Sequence, residues 1–229
     1  HTQKMKLADI IANNIVSNDT TNMFAGAYSL EQRTRSFLKI QDGCDYFCTY
    51  CTVPYARGRS VSNTIAGVLS DIEEISSKGF REIILTGVNI GTFGLNNNEN
   101  FFGLLKAIDN QFSNVRIRLG STEPELMSAE IIDQVASSKV LMPHFHLPLQ
   151  SGCDATLERM HRRYNTALFR QRVELIKQKI PFACIAVDVI TGFPGETDDE
   201  FEQTFNFISS LPLSYLHVFP YSDRPLAKA

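Results

Sequence analysis

Three cysteines stand close together in Cys44-Asp-Tyr-Phe-Cys48-Thr-Tyr-Cys51, with the spacing C-x3-C-x2-C. Thiolates are the usual ligands of iron–sulfur clusters. A four-iron cube needs one ligand per iron, and this loop supplies three. One iron would be left open to a small molecule. Zinc is the competing metal, but structural zinc closes a shell of four ligands. No His or fourth Cys lies between Asp42 and Ser60, although His144, His146 or Cys153 could complete a shell from a distance. A third reading is a trio of buried thiols without metal, since Cys is among the most buried residue types. The spacing, with Gly43 before the loop and Gly58 after it, favours the cluster.

Other candidate groups stand at the ends of apolar runs. Thr86-Gly87-Val88-Asn89 closes one run and reads as a functional loop or as a turn with its glycine. Glu123 follows another and is either a site carboxylate or a surface residue before Pro124. Gln150, in Leu-Gln-Ser-Gly, is a polar contact or part of a simple turn. Asp188 is the only charge in the run Phe182–Thr191. A carboxylate buried there needs a partner or a cavity. Gly192-Phe193-Pro194-Gly195-Glu196 opens a helix whose N-terminus could hold an anion. Val218 and Phe219 read by periodicity as core strand residues. His144 and His146 alternate with Phe145 and Leu147, so they share one strand face. A polar pair inside a barrel is favoured over a pair of metal ligands. Arg159, Arg162 and Arg163 form the densest basic stretch, Arg57 and Arg59 flank the cysteines, and Arg116 and Arg118 share a strand face. They read as phosphate contacts or as solvated charge. Cys153 reads as a loop thiol and Cys184 as a buried strand thiol.

These groups need a scaffold, and the patterning predicts one. Apolar runs at Ser36–Gln41, Glu82–Thr86, Val115–Ser121, His144–Leu149, Phe182–Thr191 and Tyr215–Tyr221 predict six strands. Helical patterns fall between them. Thr64–Ser77 places Ile65, Leu69, Ile72 and Ile75 on one face, and Gly79 ends it. Phe101–Asn110, a stretch from Ser128, and Ala155–Lys179 with a break near Tyr164 follow. Thr197 and Glu200 form a capping box for a helix through Ser209. Repeated β/α units with right-handed crossovers predict an α/β fold, a partial (β/α)6 barrel. Functional groups then belong on the rim at the strands' C-terminal ends.

Composition sets the bounds. With 229 residues, 43% hydrophobic and 21% charged, the chain suits one large domain or two small ones. The net charge of −3 argues against a dedicated nucleic-acid domain, so RNA contacts would have to be local. No apolar run reaches the roughly 18 residues of a membrane span, so no membrane partner is expected. Five unevenly spaced cysteines do not make a secreted disulfide scaffold, and a cytoplasmic location is the default. Residues 1–33 read as a lead-in or linker with a helix at Met5–Val16, and 34–229 as the core.

The cysteine loop resembles the radical S-adenosylmethionine signature, C-x3-C-x-aromatic-C, with Tyr50 in the aromatic place. Longer strings resemble the methylthiotransferase family of that class. They are Phe37–Cys44, Val53–Arg59, Leu85–Asn89, His144–Gly152, Asp188–Glu196 and Leu216–Ser222, within a resemblance running from about Arg33 to Ser222. The resemblance implies a partial barrel of the radical S-adenosylmethionine type. It implies that Cys44, Cys48 and Cys51 hold a 4Fe-4S cluster whose open iron chelates S-adenosylmethionine. An electron from the cluster would then release a 5′-deoxyadenosyl radical that abstracts hydrogen from the target. Tyr50, Thr86, Gly87, Asn89, Glu123, Gln150, Asp188, Gly192, Val218 and Phe219 are the cofactor contacts it implies, with Val218 and Phe219 flanking adenine.

The implied substrate is tRNA, modified at carbon 2 of threonylcarbamoyl-adenosine beside the anticodon. The electron donor would be a flavodoxin or ferredoxin. The same chemistry on isopentenyl-adenosine is the near alternative, and a metal-binding RNA module without catalysis the distant one. Family members also carry an N-terminal domain holding a second 4Fe-4S cluster and a C-terminal RNA-binding barrel. Neither pattern stands within these residues, so the expectation is a core that starts radicals more surely than it inserts sulfur. Leu226 stands where the family has glycine after Arg224-Pro225.

Overall fold

The computed structural model describes residues 24–29 and 34–229. The helix expected at Met5–Val16 and most of the lead-in fall outside those residues. The elements, in chain order, begin with β1 (Ala27–Tyr28), β2 (Ser36–Lys39), β3 (Gln41–Asp42), α1 (Val53–Arg57), β4 (Val61–Ser62) and α2 (Ile65–Ser77). Then come β5 (Glu82–Thr86), a 3-10 turn (Ile90–Thr92), α3 (Phe101–Gln111), β6 (Arg116–Leu119), α4 (Ala129–Ser137) and β7 (His144–Gln150). The chain continues through α5 (Asp154–Arg159), α6 (Thr166–Lys179), β8 (Cys184–Thr191), α7 (Asp198–Ser209) and β9 (Tyr215–Pro220).

The expected six strands run parallel in the order β2, β5, β6, then β7, β8, β9. Leu85 pairs with Leu38 on one side and Leu119 on the other. Between β6 and β7 the ladder thins to two bridges, Ile117 with Leu141 and Ser121 with His146. The sheet therefore curls as two three-stranded parallel halves joined at a seam, an open α/β barrel. β1 lies antiparallel on the outer edge of β2, and β9 forms the other edge.

Side-chain alternation separates a packing face from a chemical face. In β7, Phe145, Leu147 and Leu149 are buried in the core, while His144, His146 and Gln150 are partly accessible. β8 buries Ile185, Val187 and Val189 in the same layer, with Asp188 on the opposite face. The helices cover the apolar face with Val68, Ile72 and Ile75 of α2, Leu104 and Ile108 of α3, Ile132 and Val135 of α4, and Val173 and Ile176 of α6.

The five long helices among the described residues start alike. Thr64, Asn100, Ser128, Asn165 and Thr197 each accept a hydrogen bond from the backbone N–H three residues on. Each such cap is worth about 1 kcal/mol. Thr197 and Glu200 complete the expected capping box. The expected break near Tyr164 separates α5 from α6, with His161 at φ 57°.

Two strand expectations are corrected. β8 begins at Cys184 rather than Phe182, whose side chain is 79% exposed. Val218 and Phe219 are not core residues, since they are 56% and 52% exposed. They lie on β9, and an edge strand has no neighbour to bury its outer positions. The two remaining cysteines lie where expected, in a loop and on a strand, but differ in burial from the expectation. Cys153 is buried at the start of α5, and Cys184 is only partly buried.

Arg159 at the end of α5 grips Glu200 at the start of α7 with two hydrogen bonds, 2.9 and 2.7 Å long. Those bonds and the Thr197 backbone N–H hold the Glu200 carboxyl down at about 2. Its stabilising effect is therefore present above the ordinary value of 4.5 and is lost as pH falls toward 2. Glu200→Gln is expected to cost about 1 kcal/mol at neutral pH. Urea unfolding curves of the two proteins should converge as the pH is lowered through that window.

Candidate active site

Glycine shapes the cysteine loop. Gly43 has φ +70°, and a Cβ there would stand 2.1 Å from the Arg59 carbonyl oxygen. Only glycine fits that approach. Beyond it the Cys44 N–H donates to the Gly58 carbonyl at 3.1 Å, closing the loop that runs through α1. The Cys51 N–H donates to the Cys48 carbonyl at 3.0 Å. Thr49 fastens the loop to α5 through its hydroxyl, which donates to the Arg159 carbonyl at 2.9 Å.

Gln41 ties the loop to the end of β5. It is fully buried. Its Nε2 donates to the carbonyls of Asp42 and Gly43 and to Ser60 Oγ. Its Oε1 accepts from the N–H groups of Val88 and Asn89, both at 2.9 Å. Gly87 has no side chain because a Cβ there would meet Gln41 Oε1 at 2.8 Å. The Thr86–Asn89 loop is thus positioned against the cysteine loop by one glutamine that the motif reading passed over. A polar residue inside an apolar strand run, just before the first turn, was the available signal.

Cys44, Cys48 and Cys51 are all free thiols. Burial and the neighbouring Cys48, Cys51 and Glu123 push the Cys44 thiol up to about 11. Burial and Glu123 also raise Cys48, against the pull of Arg162. Cys44 and Cys48 held as neutral thiols suit a cationic centre that would stabilise the thiolates. Three free thiols on one loop, closed by the Cys44–Gly58 hydrogen bond, are soft donors that suit iron or zinc, and three ligands leave one position of a four-iron cluster open.

Arg162 completes this side of the site. Its side chain is 3% exposed. Nη1 donates to Cys48 Sγ and to Tyr50 Oη, each at 3.1 Å, and Nη2 pairs closely with Glu123. Nε donates to Tyr164 Oη, whose own proton goes to the carbonyls at the end of β7. Burial pushes the Glu123 carboxyl up to about 7 despite the guanidinium beside it. In the sequence Arg162 belongs to a basic stretch that reads as phosphate contacts or solvated charge. The tight turn between α5 and α6 instead carries it inward.

A cavity of about 390 Å³ opens beside Cys51, within the range of small-molecule sites. Tyr50, Gln150, Asp188, Ile190 and Phe219 line it. Gln150 reaches it from a backbone at φ 65°, where the β7–β8 register shifts. Asp188 has the partners its burial demands. Its Oδ1 lies 2.9 Å from His146 Nε2 and 3.0 Å from His217 Nδ1. His144 stands apart, with Nε2 3.0 Å from Tyr215 Oη. Burial, with Arg118 and His146 beside it, pushes His144 down to about 4.

Four candidates thus converge on one cavity: Tyr50, Gln150, Asp188 and Phe219. Glu123 reaches the cysteines from the Arg162 side. Thr86 and Gly87 border a separate hollow of about 270 Å³ with Lys39 and Arg57. Asn89 is 2% exposed, and neither atom of its side-chain amide has a partner among the described residues. Val218 is not brought to the cavity. It faces an outer apolar groove with Leu216, Phe201 and Phe205. Gly192 is exposed at φ +70°, and its N–H already donates to Glu196 Oε2 at 2.6 Å. That carboxylate also takes the Phe193 N–H, so the anion-holding reading of this helix start is replaced by an internal cap.

The basic clusters are likewise paired within the chain. Arg57 meets Asp42, Arg59 meets Asp45, Arg116 and Arg118 meet Glu82, and Arg159 meets Glu200. Arg163 stacks over Tyr46 at 3.9 Å. Each of these arginines has an acidic or aromatic partner within the fold, while Arg57, Arg59 and Arg116 keep about half or more of their side chains exposed.

Comparison with known proteins agrees with the geometry. The sequence profile of the Radical SAM superfamily, named for S-adenosylmethionine, matches residues 38–208. Threonylcarbamoyladenosine tRNA methylthiotransferase MtaB of Aquifex aeolicus is 37% identical over 228 residues, 99% of this chain and 54% of that protein. Its Bacillus subtilis namesake is 41% identical over 194 residues, 84% of this chain and 43% of that protein. The tRNA-2-methylthio-N(6)-dimethylallyladenosine synthase of Desulfosudis oleivorans is 39% identical over 194 residues, covering 84% and 42%. The chain spans about half the length of the curated relatives it matches. Among solved structures, radical S-adenosylmethionine methyltransferase TsrM from Kitasatospora setae superposes with a TM-score of 0.67 at 18% identity, covering 80% of this chain and 36% of that one. Coproporphyrinogen III oxidase HemN from Escherichia coli gives a TM-score of 0.59 at 16% identity, covering 82% and 44%. These two likenesses bear on the fold alone.

Proposed function

We infer, since the chain belongs to the Radical SAM superfamily, that Cys44, Cys48 and Cys51 hold a 4Fe-4S cluster and that the cavity beside Cys51 takes S-adenosylmethionine. The observation that carries this is the cysteine loop itself. Its three free thiols stand on one loop, and one of them borders a cavity of cofactor size. Held by these thiols, a 4Fe-4S cluster would supply the one-electron reduction that splits S-adenosylmethionine into methionine and a 5′-deoxyadenosyl fragment.

The protein's own work is binding, orientation and exclusion of water. Tyr50 and Phe219 wall the cavity, and Gln150 and Asp188 offer it polar groups. Arg162 holds Cys48 and Tyr50 in a fixed relation and keeps charge balance beside Glu123. Gln41 fixes the Thr86–Asn89 loop opposite the cysteines.

The finer reading is a tRNA methylthiotransferase core acting on threonylcarbamoyl-adenosine beside the anticodon. Identities of 37 and 41% to proteins of that name support it. A dimethylallyladenosine substrate is the second reading, supported by the 39% identity to a synthase of that class. In either case the partners are a tRNA anticodon stem-loop and an electron donor of the flavodoxin or ferredoxin class, and the setting is the cytoplasm. No helix among the described residues is long and apolar enough to cross a membrane.

Anaerobic reconstitution tests the reading. The protein should turn brown and hold iron and sulfide in near-equal amounts. With dithionite and S-adenosylmethionine it should form 5′-deoxyadenosine. Colourless protein with one zinc and no 5′-deoxyadenosine would overturn it. Stem-loops carrying either modified adenosine, analysed by mass for an added methylthio group, separate the two substrates.

A further inference from the structure

A second constellation lies in the barrel away from the cysteines. His146, Asp188 and His217 come from the adjacent parallel strands β7, β8 and β9. The register sets Asp188 directly opposite His217 and Ala186 opposite His146. Period-two alternation then turns all three side chains to the barrel interior. Asp188 Oδ1, His146 Nε2 and His217 Nδ1 lie within 4.8 Å of one another, and among the described residues no other trio of such groups does so.

We propose that this trio binds a divalent transition-metal ion. The donor set is two imidazole nitrogens and one carboxylate oxygen, which suits first-row divalent ions and leaves coordination positions open. The distances agree. An octahedral ion about 2.1 Å from each ligand sets neighbouring ligand atoms about 3.0 Å apart, and a tetrahedral one about 3.4 Å. The carboxylate oxygen lies 2.9 and 3.0 Å from the two nitrogens, the octahedral spacing. Each neutral imidazole would present its lone pair at the inner nitrogen and carry its proton on the other.

The surroundings suit the ion as well. Asp188 is the one carboxylate facing these imidazoles, and its Oδ2 takes no hydrogen bond within the described residues. Asp188 also lines the cavity shared with Tyr50 and Cys51. Asp188 thus belongs to the trio and borders that cavity, whereas the two histidines do not line the cavity. The site uses no cysteine and stands independently of the cluster assignment.

The same spacing suits two plain hydrogen bonds, and experiment separates the two. Reconstituted protein, freed of loose metal, is dialysed at equilibrium against graded Co²⁺, and bound cobalt is counted alongside retained iron. One saturable equivalent is expected with iron unchanged. Asp188→Asn and His217→Ala should each weaken it roughly tenfold or more, and His144→Ala should not. Iron retention and circular dichroism establish that each variant is folded. Should Asp188→Asn fail to fold, His217→Ala decides, since His217 lies on the edge strand with its side chain 47% exposed. No saturable cobalt, or equal binding by wild type and His217→Ala, would overturn the proposal and leave a hydrogen-bonded trio. Loss of the brown cluster with cobalt binding intact would sink the radical reading instead.

Discussion

Cys51→Ala protein is expected to emerge colourless from anaerobic reconstitution and to form 5′-deoxyadenosine only at background. With one thiol gone, the loop retains two ligands, and its electron source goes with the cluster. The fold should survive. Cys51 is partly exposed in a loop, and the backbone bonds of Cys44 to Gly58 and Cys51 to Cys48 do not involve its sulfur. A stability change within about 1 kcal/mol is therefore expected by denaturant unfolding. Cys153→Ser is the matched control. Cys153 is buried at the start of α5, outside the loop, so its loss should spare both colour and cleavage. Cleavage that persisted in Cys51→Ala would show that the wrong thiols had been assigned.

Much of the barrel is legible in the sequence because its strands are short apolar runs closed by polar ends. The run Glu82–Thr86 is β5 to the residue, and Thr197 with Glu200 marks the start of α7 without ambiguity. Local chemistry decides such features, and local chemistry is what a sequence displays. The misses are positions where topology decides. Val218 and Phe219 are apolar and alternate as core residues do, but β9 has a neighbour on one side only. Arg162 sits in a charge run that looks solvated, and a single residue with positive φ, His161, turns it inward. Gln41 looks like an ordinary polar strand end, and three of its five hydrogen bonds reach segments far apart in sequence. The site divides the same way. The cysteines announce themselves through spacing, whereas the groups that hold them do not. His217 was unread because its partner Asp188 is 29 residues away and meets it only through the β8–β9 register.

Arg162→Met should be the most damaging single change outside the cysteines. Arg162 and Glu123 are 3% and 14% exposed, so their pair is largely screened from water. Removing one partner of such a pair costs about 3–5 kcal/mol, because the other charge stays behind without compensation. For a chain of this size that is a fall in melting temperature of roughly 6–20 °C. Burial already pushes the Glu123 carboxyl up to about 7, so without the guanidinium part of the cost is taken as proton uptake and the stranded charge weighs most at higher pH. Glu123→Gln in the same chain removes the stranded charge. The double variant Glu123→Gln with Arg162→Met should therefore be more stable than Arg162→Met alone, and the thermodynamic cycle should show coupling of about 1–3 kcal/mol. Stability and site function should then part company. Nothing in the double variant replaces the N–H donors to Cys48 Sγ and Tyr50 Oη. Its cluster should be held less firmly, and loss of iron to a chelator should be faster than in wild type. Arg162→Lys supplies the contrast, keeping the charge without the planar fork that reaches sulfur, phenol and carboxylate together. It should recover most of the stability and only part of the iron retention. Equal iron retention in wild type and the double variant would show that Arg162 braces the fold and does nothing further for the cysteines.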